Sequence, residues 1–147
     1  PKRQETRLKY SKSYINLLEA KLALKIVNDY LDLGFDEGDI GVISPYSDQV
    51  NIISNETDVE VKTVDGFQGG EKEIIIMSTV RSNENGKLGF LEDLRRLNVA
   101  ITRAMKKLII MGDIETLSHN DTYKRLIEDC RSENTVIEFK SEMEELE

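Results

Sequence analysis

Four consecutive apolar residues, Ile74, Ile75, Ile76 and Met77, constrain the fold more than any other feature of this chain. A continuous apolar run of that length suits a strand of a parallel sheet covered on both faces. Before it, Val59, Val61 and Val64 form a second β-rich run, which Gly66, Gly69 and Gly70 break. The loop between the two strands carries Thr63, Asp65, Gln68 and Glu71. Ligands of open α/β sheets bind where loops leave the carboxyl ends of the strands, so this loop is a candidate site; the alternative is a plain solvated connection.

The remaining elements alternate in kind. From Asn16 a helical pattern runs through Leu18, Leu22, Ile26, Val27, Tyr30 and Leu31, with Asn16 and Glu19 spaced as a capping box and Gly34 where a helix would stop. Residues 39–43 read as a strand ended by Pro45, and Ser47 is placed to cap a short helix through Val50, Ile52 and Ile53. A further helix over residues 93–104 sets Leu94, Leu97, Ile101 and Ala104 on one stripe facing the core. Arg96 and Arg103, seven positions apart on that helix, project from nearly the same side. A strand at residues 108–111, a helix at 123–131 and a candidate edge strand at 136–139 complete the order. Helix alternating with strand predicts an α/β layer fold with a largely parallel sheet.

A length of 147 residues with 39% hydrophobic and 33% charged content fits one domain with a sizeable core. Residues 1–13 read as a cut edge or linker, 14–140 as the domain, and 141–147 as an acidic tail. No run is long enough to cross a bilayer and the first residues carry no secretory signal, which predicts an intracellular protein without membrane contact. Cys130 alone forms no disulfide framework; it is expected as a small buried residue, and His119 as a loop residue with no metal role. No metal site is expected. The net charge is −8, of which residues 132–147 supply −5, leaving −3 for the body. That balance excludes a surface that binds nucleic acid non-specifically by charge alone.

Four blocks carry a resemblance: NLLEA at residues 16–20, IGVISPYSDQV at 40–50, TVDGFQGGEKEIIIMSTVRSN at 63–83 and GFLEDLRRLNVAITRAMKKLIIMGD at 89–113. Together, and in this order, they resemble the second RecA-like domain of superfamily 1B helicases, in the branch of the nonsense-mediated decay and immunoglobulin mu-binding helicases. The resemblance implies a three-layer RecA-like domain of P-loop NTPase type. It implies that Arg103 is an arginine finger reaching ATP held by an N-terminal RecA-like domain of the same chain. Glu71 then lies near the nucleotide ribose, Gln68 and Gly69 couple nucleotide to nucleic acid, and Tyr46 and Gln49 belong to the motif beside base and phosphates. Thr63, Val64 and Asp65 would touch the backbone of single-stranded DNA or RNA.

The chain departs from the family where Gly70 and Val50 stand in place of basic residues, leaving Arg96 as a substitute cation. Its one Gly-Lys pair, Gly86 and Lys87, is followed by Leu88, so the phosphate-cradling loop that needs Ser or Thr there is not in it. ATP and Mg2+ are accordingly expected in a longer protein, with none bound to this chain alone. The alternative is a free-standing RecA-like module that binds without catalysis.

Overall fold

The structure is a computed structural model and describes residues 4–67 and 70–139. Gln68, Gly69 and the acidic tail lie outside the described residues. Two short strands, β1 (Glu5–Thr6) and β2 (Ile15–Asn16), pair antiparallel and lead into helix α1 (Leu17–Asp32). Then come β3 (Ile40–Ser44), α2 (Ser47–Ser54), β4 (Glu60–Thr63), β5 (Lys72–Ser78), α3 (Leu94–Arg103), β6 (Ala104–Met111), α4 (Ile114–Leu117) and α5 (Asp121–Ser132). The main sheet is ordered β4-β3-β5-β6 and every pair in it is parallel. Residues 4–13, expected as an edge or linker, contribute β1 to the small sheet.

Strand alternation sorts the core into two layers. Ile74 and Ile76 face one way, into a cluster with Ala20, Ala23 and Val27 of α1 and Val50 and Ile53 of α2. Ile75 and Met77 face the other way, against Leu97 and Ala100 of α3 and Tyr123 of α5. Helices therefore cover both faces of the sheet, which makes the three-layer α/β architecture and accounts for the unbroken apolar run in β5.

Local chemistry sets the helix ends. The Asn16 side chain accepts the Glu19 N–H at 3.1 Å, but the Glu19 carboxylate does not return to the Asn16 N–H, so the expected capping box is half made. At the other end Gly34 adopts φ +102°, its N–H bonds Leu31 O and the Phe35 N–H bonds Tyr30 O. Tyr30 and Phe35 then meet edge to face at 5.6 Å, which gives a Schellman stop with its hydrophobic contact.

Several expectations are corrected. The core face of α1 centres on Ala20, Ala23 and Val27, with Leu22, Ile26, Tyr30 and Leu31 packed around it. The cap of α2 is Tyr46, not Ser47; the Asp48 N–H finds its acceptor in Ser13 Oγ, 3.2 Å away and 35 positions earlier. On α3 the buried residues are Leu97 and Ala100, while Leu94 and Ile101 are 39% and 40% exposed. The helix lies over β5 and β6 on the face of Leu97 and Ala100, so Leu94 and Ile101 turn outward. Residues 135–139 form no strand and Ile137 is 90% exposed. Cys130 is half-buried. Among the described residues no helix is long and apolar enough to cross a membrane.

Candidate functional site

Two opposite edges of the sheet hold the functional candidates. Thr63 ends β4 and pairs with Ser44, the last residue of β3, so it stands at the carboxyl edge. Glu71 immediately precedes β5, whose first residue Lys72 pairs with Ala104 at the start of β6, so it stands, exposed, at the amino edge. Thr63 and Glu71, expected in one site, therefore stand at opposite edges, and the described part of the loop between them is the segment 64–67. It crosses above β3, where a Cβ on Gly41 would lie 2.6 Å from Phe67 Cζ. The bare glycine lets Phe67 sink into the core and so fixes the Val64–Asp65 segment beside α3.

That segment and α3 enclose an open groove of about 590 Å³, lined by Val64, Asp65, Asp93, Arg95, Arg96, Val99 and Arg103. Asp93 caps α3 by accepting the Arg95 N–H at 3.1 Å. Its carboxylate also takes the Arg95 side chain, and that hydrogen bond, against slight desolvation, holds Asp93 below the ordinary carboxyl value. The Arg96 guanidinium lies 3.5 Å from Asp65 and 3.9 Å from Asp93, with its carbon 5.0 Å from the Phe90 ring centre. Arg103, the last residue of α3, differs from both: its Nε is buried and has no hydrogen-bond partner among the described residues. A buried donor left bare is rare in native structures and calls for an explanation, and the same side chain lines the groove. Among the described residues no group of three His, Cys, Asp or Glu is set to hold a metal ion.

The structure thus brings Val64, Asp65, Arg96 and Arg103 together. It does not bring Tyr46 or Gln49 to them. Tyr46 is 2% exposed, donates its hydroxyl to Leu88 O at 3.2 Å and accepts from Arg81 Nη1 at 3.1 Å. Gln49 is fully buried, accepting the Asn16 N–H at 3.0 Å and donating to Asn16 O at 2.9 Å. Both side chains are bonded inside the protein at the carboxyl edge, away from the groove. Val64 is buried too, which leaves only its main chain for outside contacts.

Sequence reasoning missed the polar core behind those two residues. Glu19 accepts the Ser78 hydroxyl at 2.8 Å, the Val80 N–H at 3.0 Å and Asn16 Nδ2 at 3.1 Å. Burial pushes its carboxyl up to about 7; the bonds from Val80 and Ser78 oppose the rise and Asp113 adds to it. Val80 is held at φ +70°, a strained setting for a β-branched residue. Arg81 follows, with Nε 2.8 Å from Glu5 Oε2 and its carbon 4.0 Å from the Tyr14 ring centre. The available signal was the polar run of Ser78, Thr79, Arg81 and Ser82 directly after a buried strand.

With this geometry in place, comparison with known proteins is decisive: the sequence profile of the AAA domain family matches residues 1–115. The chain belongs to that family. Within it, this AAA domain is 46% identical over 131 residues to "DNA replication ATP-dependent helicase/nuclease DNA2" of Xenopus laevis, covering 84% of the chain and 12% of that protein. It is 42% identical over 138 residues to "Regulator of nonsense transcripts 1" of Dictyostelium discoideum, covering 86% of the chain and 10% of that protein. Over 88 residues it is 54% identical to "DNA polymerase alpha-associated DNA helicase A" of Saccharomyces cerevisiae, covering 55% of the chain and 13% of that protein. The AAA domain therefore spans about a tenth of the length of these relatives. It is a superfamily 1 helicase domain of the branch that holds DNA2 and Regulator of nonsense transcripts 1.

Proposed function

We propose that this chain is the C-terminal motor domain of an ATP-dependent helicase of DNA or RNA, working inside the cell. Its Arg103 would serve as the arginine finger of an ATP site that an N-terminal RecA-like domain completes. The observation that carries this reading is the buried, unpartnered Nε of Arg103 in an open groove. Guanidinium is planar, permanently charged and able to bind phosphate oxygens at two points, so a γ-phosphate entering the groove would meet the charge of the Arg103 fork, and the bare Nε is left for closure of the partner domain to satisfy. Bound ATP supplies the reactive phosphoanhydride, with Mg2+ held from the partner domain.

Each lining residue then has a task. Arg103 stabilises charge spread over the transferring phosphoryl group. Arg96 is held by Asp65, Asp93 and the Phe90 ring, so it keeps a second positive charge at a fixed place. Asp93 orders the helix start on which both Arg95 and Arg96 depend. Glu71, at the amino edge where α3 ends at Arg103 and β6 begins, would serve the nucleotide, and Gln68 and Gly69 would couple nucleotide to nucleic acid. At the carboxyl edge Thr63, with Oγ1 already accepting the Gly66 N–H at 3.2 Å, and Asp65 border the single-stranded nucleic acid.

The test is ATP turnover by the complete protein. Arg103→Ala should lower hydrolysis on the order of a thousandfold, as loss of an arginine finger does, with nucleotide binding reduced far less. Activity within a few fold of the parent would make Arg103 an ordinary solvated cation and end this reading.

A further inference from the structure

At the carboxyl edge, the loop joining β1 to β2 reads Arg-Leu-Lys-Tyr-Ser-Lys-Ser-Tyr over residues 7–14, three cations and two tyrosines with no acid, in a chain of net charge −8. We infer that this loop is a contact for single-stranded nucleic acid, in which Tyr10 stacks on a base while Arg7, Lys9 and Lys12 meet phosphates. The inference rests on the helicase reading and adds to it a site away from the groove.

The base of the loop is fixed in place. Glu5 pairs with Asn16 across the small sheet, and its carboxylate takes Arg81 Nε and the Ser82 N–H, each at 2.8 Å. The Arg81 guanidinium lies against the Tyr14 ring, Ser11 donates its hydroxyl to Asp48, and Ser13 Oγ accepts the Asp48 N–H. These anchors tie the loop to the segments that follow β3 and β5. It therefore stands at the same edge of the sheet as Thr63.

The tip is built differently. Tyr10 is 95% exposed and adopts φ +68°, a conformation that a tyrosine rarely takes. The Ser11 N–H bonds Leu8 O at 3.0 Å, a turn that sets Tyr10 at its third position, and the Lys9 ammonium lies 5.2 Å from its ring centre. The Arg7 guanidinium sits 5.1 Å from the Tyr14 ring. Arg7, Lys9 and Lys12 are exposed, and none of them forms an ion pair among the described residues. An exposed aromatic ring with cations around it that no described carboxylate pairs is the arrangement that binds single strands: rings accept bases of any sequence, and cations release counterions from phosphates. An acidic peptide would satisfy the cations and leave the ring without a task.

The test is photo-cross-linking of the protein to a bromouracil-substituted oligonucleotide, with the adduct mapped by mass spectrometry, beside binding of a fluorescent oligothymidylate at low salt. The adduct should map to the peptide containing Tyr10. Tyr10→Ala should weaken binding about tenfold, with an unchanged melting temperature because the ring is exposed. Replacing both Lys9 and Lys12 by Ala should make the slope of log affinity against log salt shallower by about 1.4, at roughly 0.7 per phosphate contact on a single strand. Adducts confined to residues 63–67, with full affinity in Tyr10→Ala, would overturn the loop site and leave the helicase reading standing. Absence of any adduct and any binding would overturn both, and competition by polyglutamate as strong as by the oligonucleotide would reassign the loop to a protein partner.

Discussion

The carboxyl edge of the sheet is crowded with buried polar groups that satisfy one another, whereas the groove at α3 contains a buried donor that nothing satisfies. At the first edge Glu19, Asn16, Gln49, Ser78 and Arg81 each have partners inside the protein. In the groove Arg103 Nε has none among the described residues. Satisfied networks hold a shape, and an unsatisfied charge-bearing group in an open groove is prepared for something that arrives from outside. Substitutions at the carboxyl edge should therefore cost stability, and substitutions in the groove should cost activity.

The largest stability effect should come from Glu19→Ala. It strands the Ser78 hydroxyl and the Val80 N–H without an acceptor and leaves Asn16 Nδ2 only Val80 O, which should destabilise the fold on the order of 3 kcal/mol in a denaturant titration. A loss below about 1 kcal/mol would show that the network does not hold this edge.

A pH series sharpens the same point. Between 4.5, the ordinary carboxyl value, and about 7, the unfolded chain has released the Glu19 proton while the folded chain keeps it. Stability from this group is thus complete below 4.5 and falls as pH rises towards 7, by about 3 kcal/mol at roughly 1.4 kcal/mol per pKa unit. Glu19→Gln has no proton to lose. The stability difference between wild type and Glu19→Gln should drift against wild type from pH 4.5 to 7 and level off above it. A difference independent of pH would mean that the carboxyl titrates normally.

The groove should behave in the opposite way. Arg96→Ala loses two partly exposed ion pairs and a ring contact, and should cost at most about 1 kcal/mol. Arg103→Met keeps the aliphatic stem and removes the bare donor, so its unfolding free energy should stay within about 0.5 kcal/mol of wild type or rise. A loss above about 2 kcal/mol in Arg103→Met would reveal an internal partner and erase the contrast between the edges.

Much of the fold was legible because it is local. The apolar runs of β3, β5 and β6, the Gly34 stop and the helix carrying Arg96 and Arg103 depend on residues a few positions apart. What was missed is non-local. Ser78 reaches Glu19 across 59 positions and Arg81 reaches Glu5 across 76, and no spacing rule encodes such pairs. The α3 stripe was half right for another reason: Leu97 is buried as expected, but it shares the sheet-facing side with Ala100, and Leu94 and Ile101 turn outward. Arg103 was singled out through the helicase resemblance; its bare donor emerged only when α3 was seen beside the Val64–Asp65 segment.

The measurement that bears most directly on Arg103 compares how tightly the complete protein holds ATP and how tightly it holds ADP with a planar phosphoryl mimic such as aluminium fluoride, in wild type and Arg103→Lys. Lysine keeps the charge and loses the two-point fork. The predicted result is that ATP affinity changes by a few fold, while the added tightness of the mimic complex falls on the order of a hundredfold or more, as it does when a group acting mainly in the transition state is lost. Equal losses for both ligands, or none for either, would contradict a role for Arg103 in the transition state.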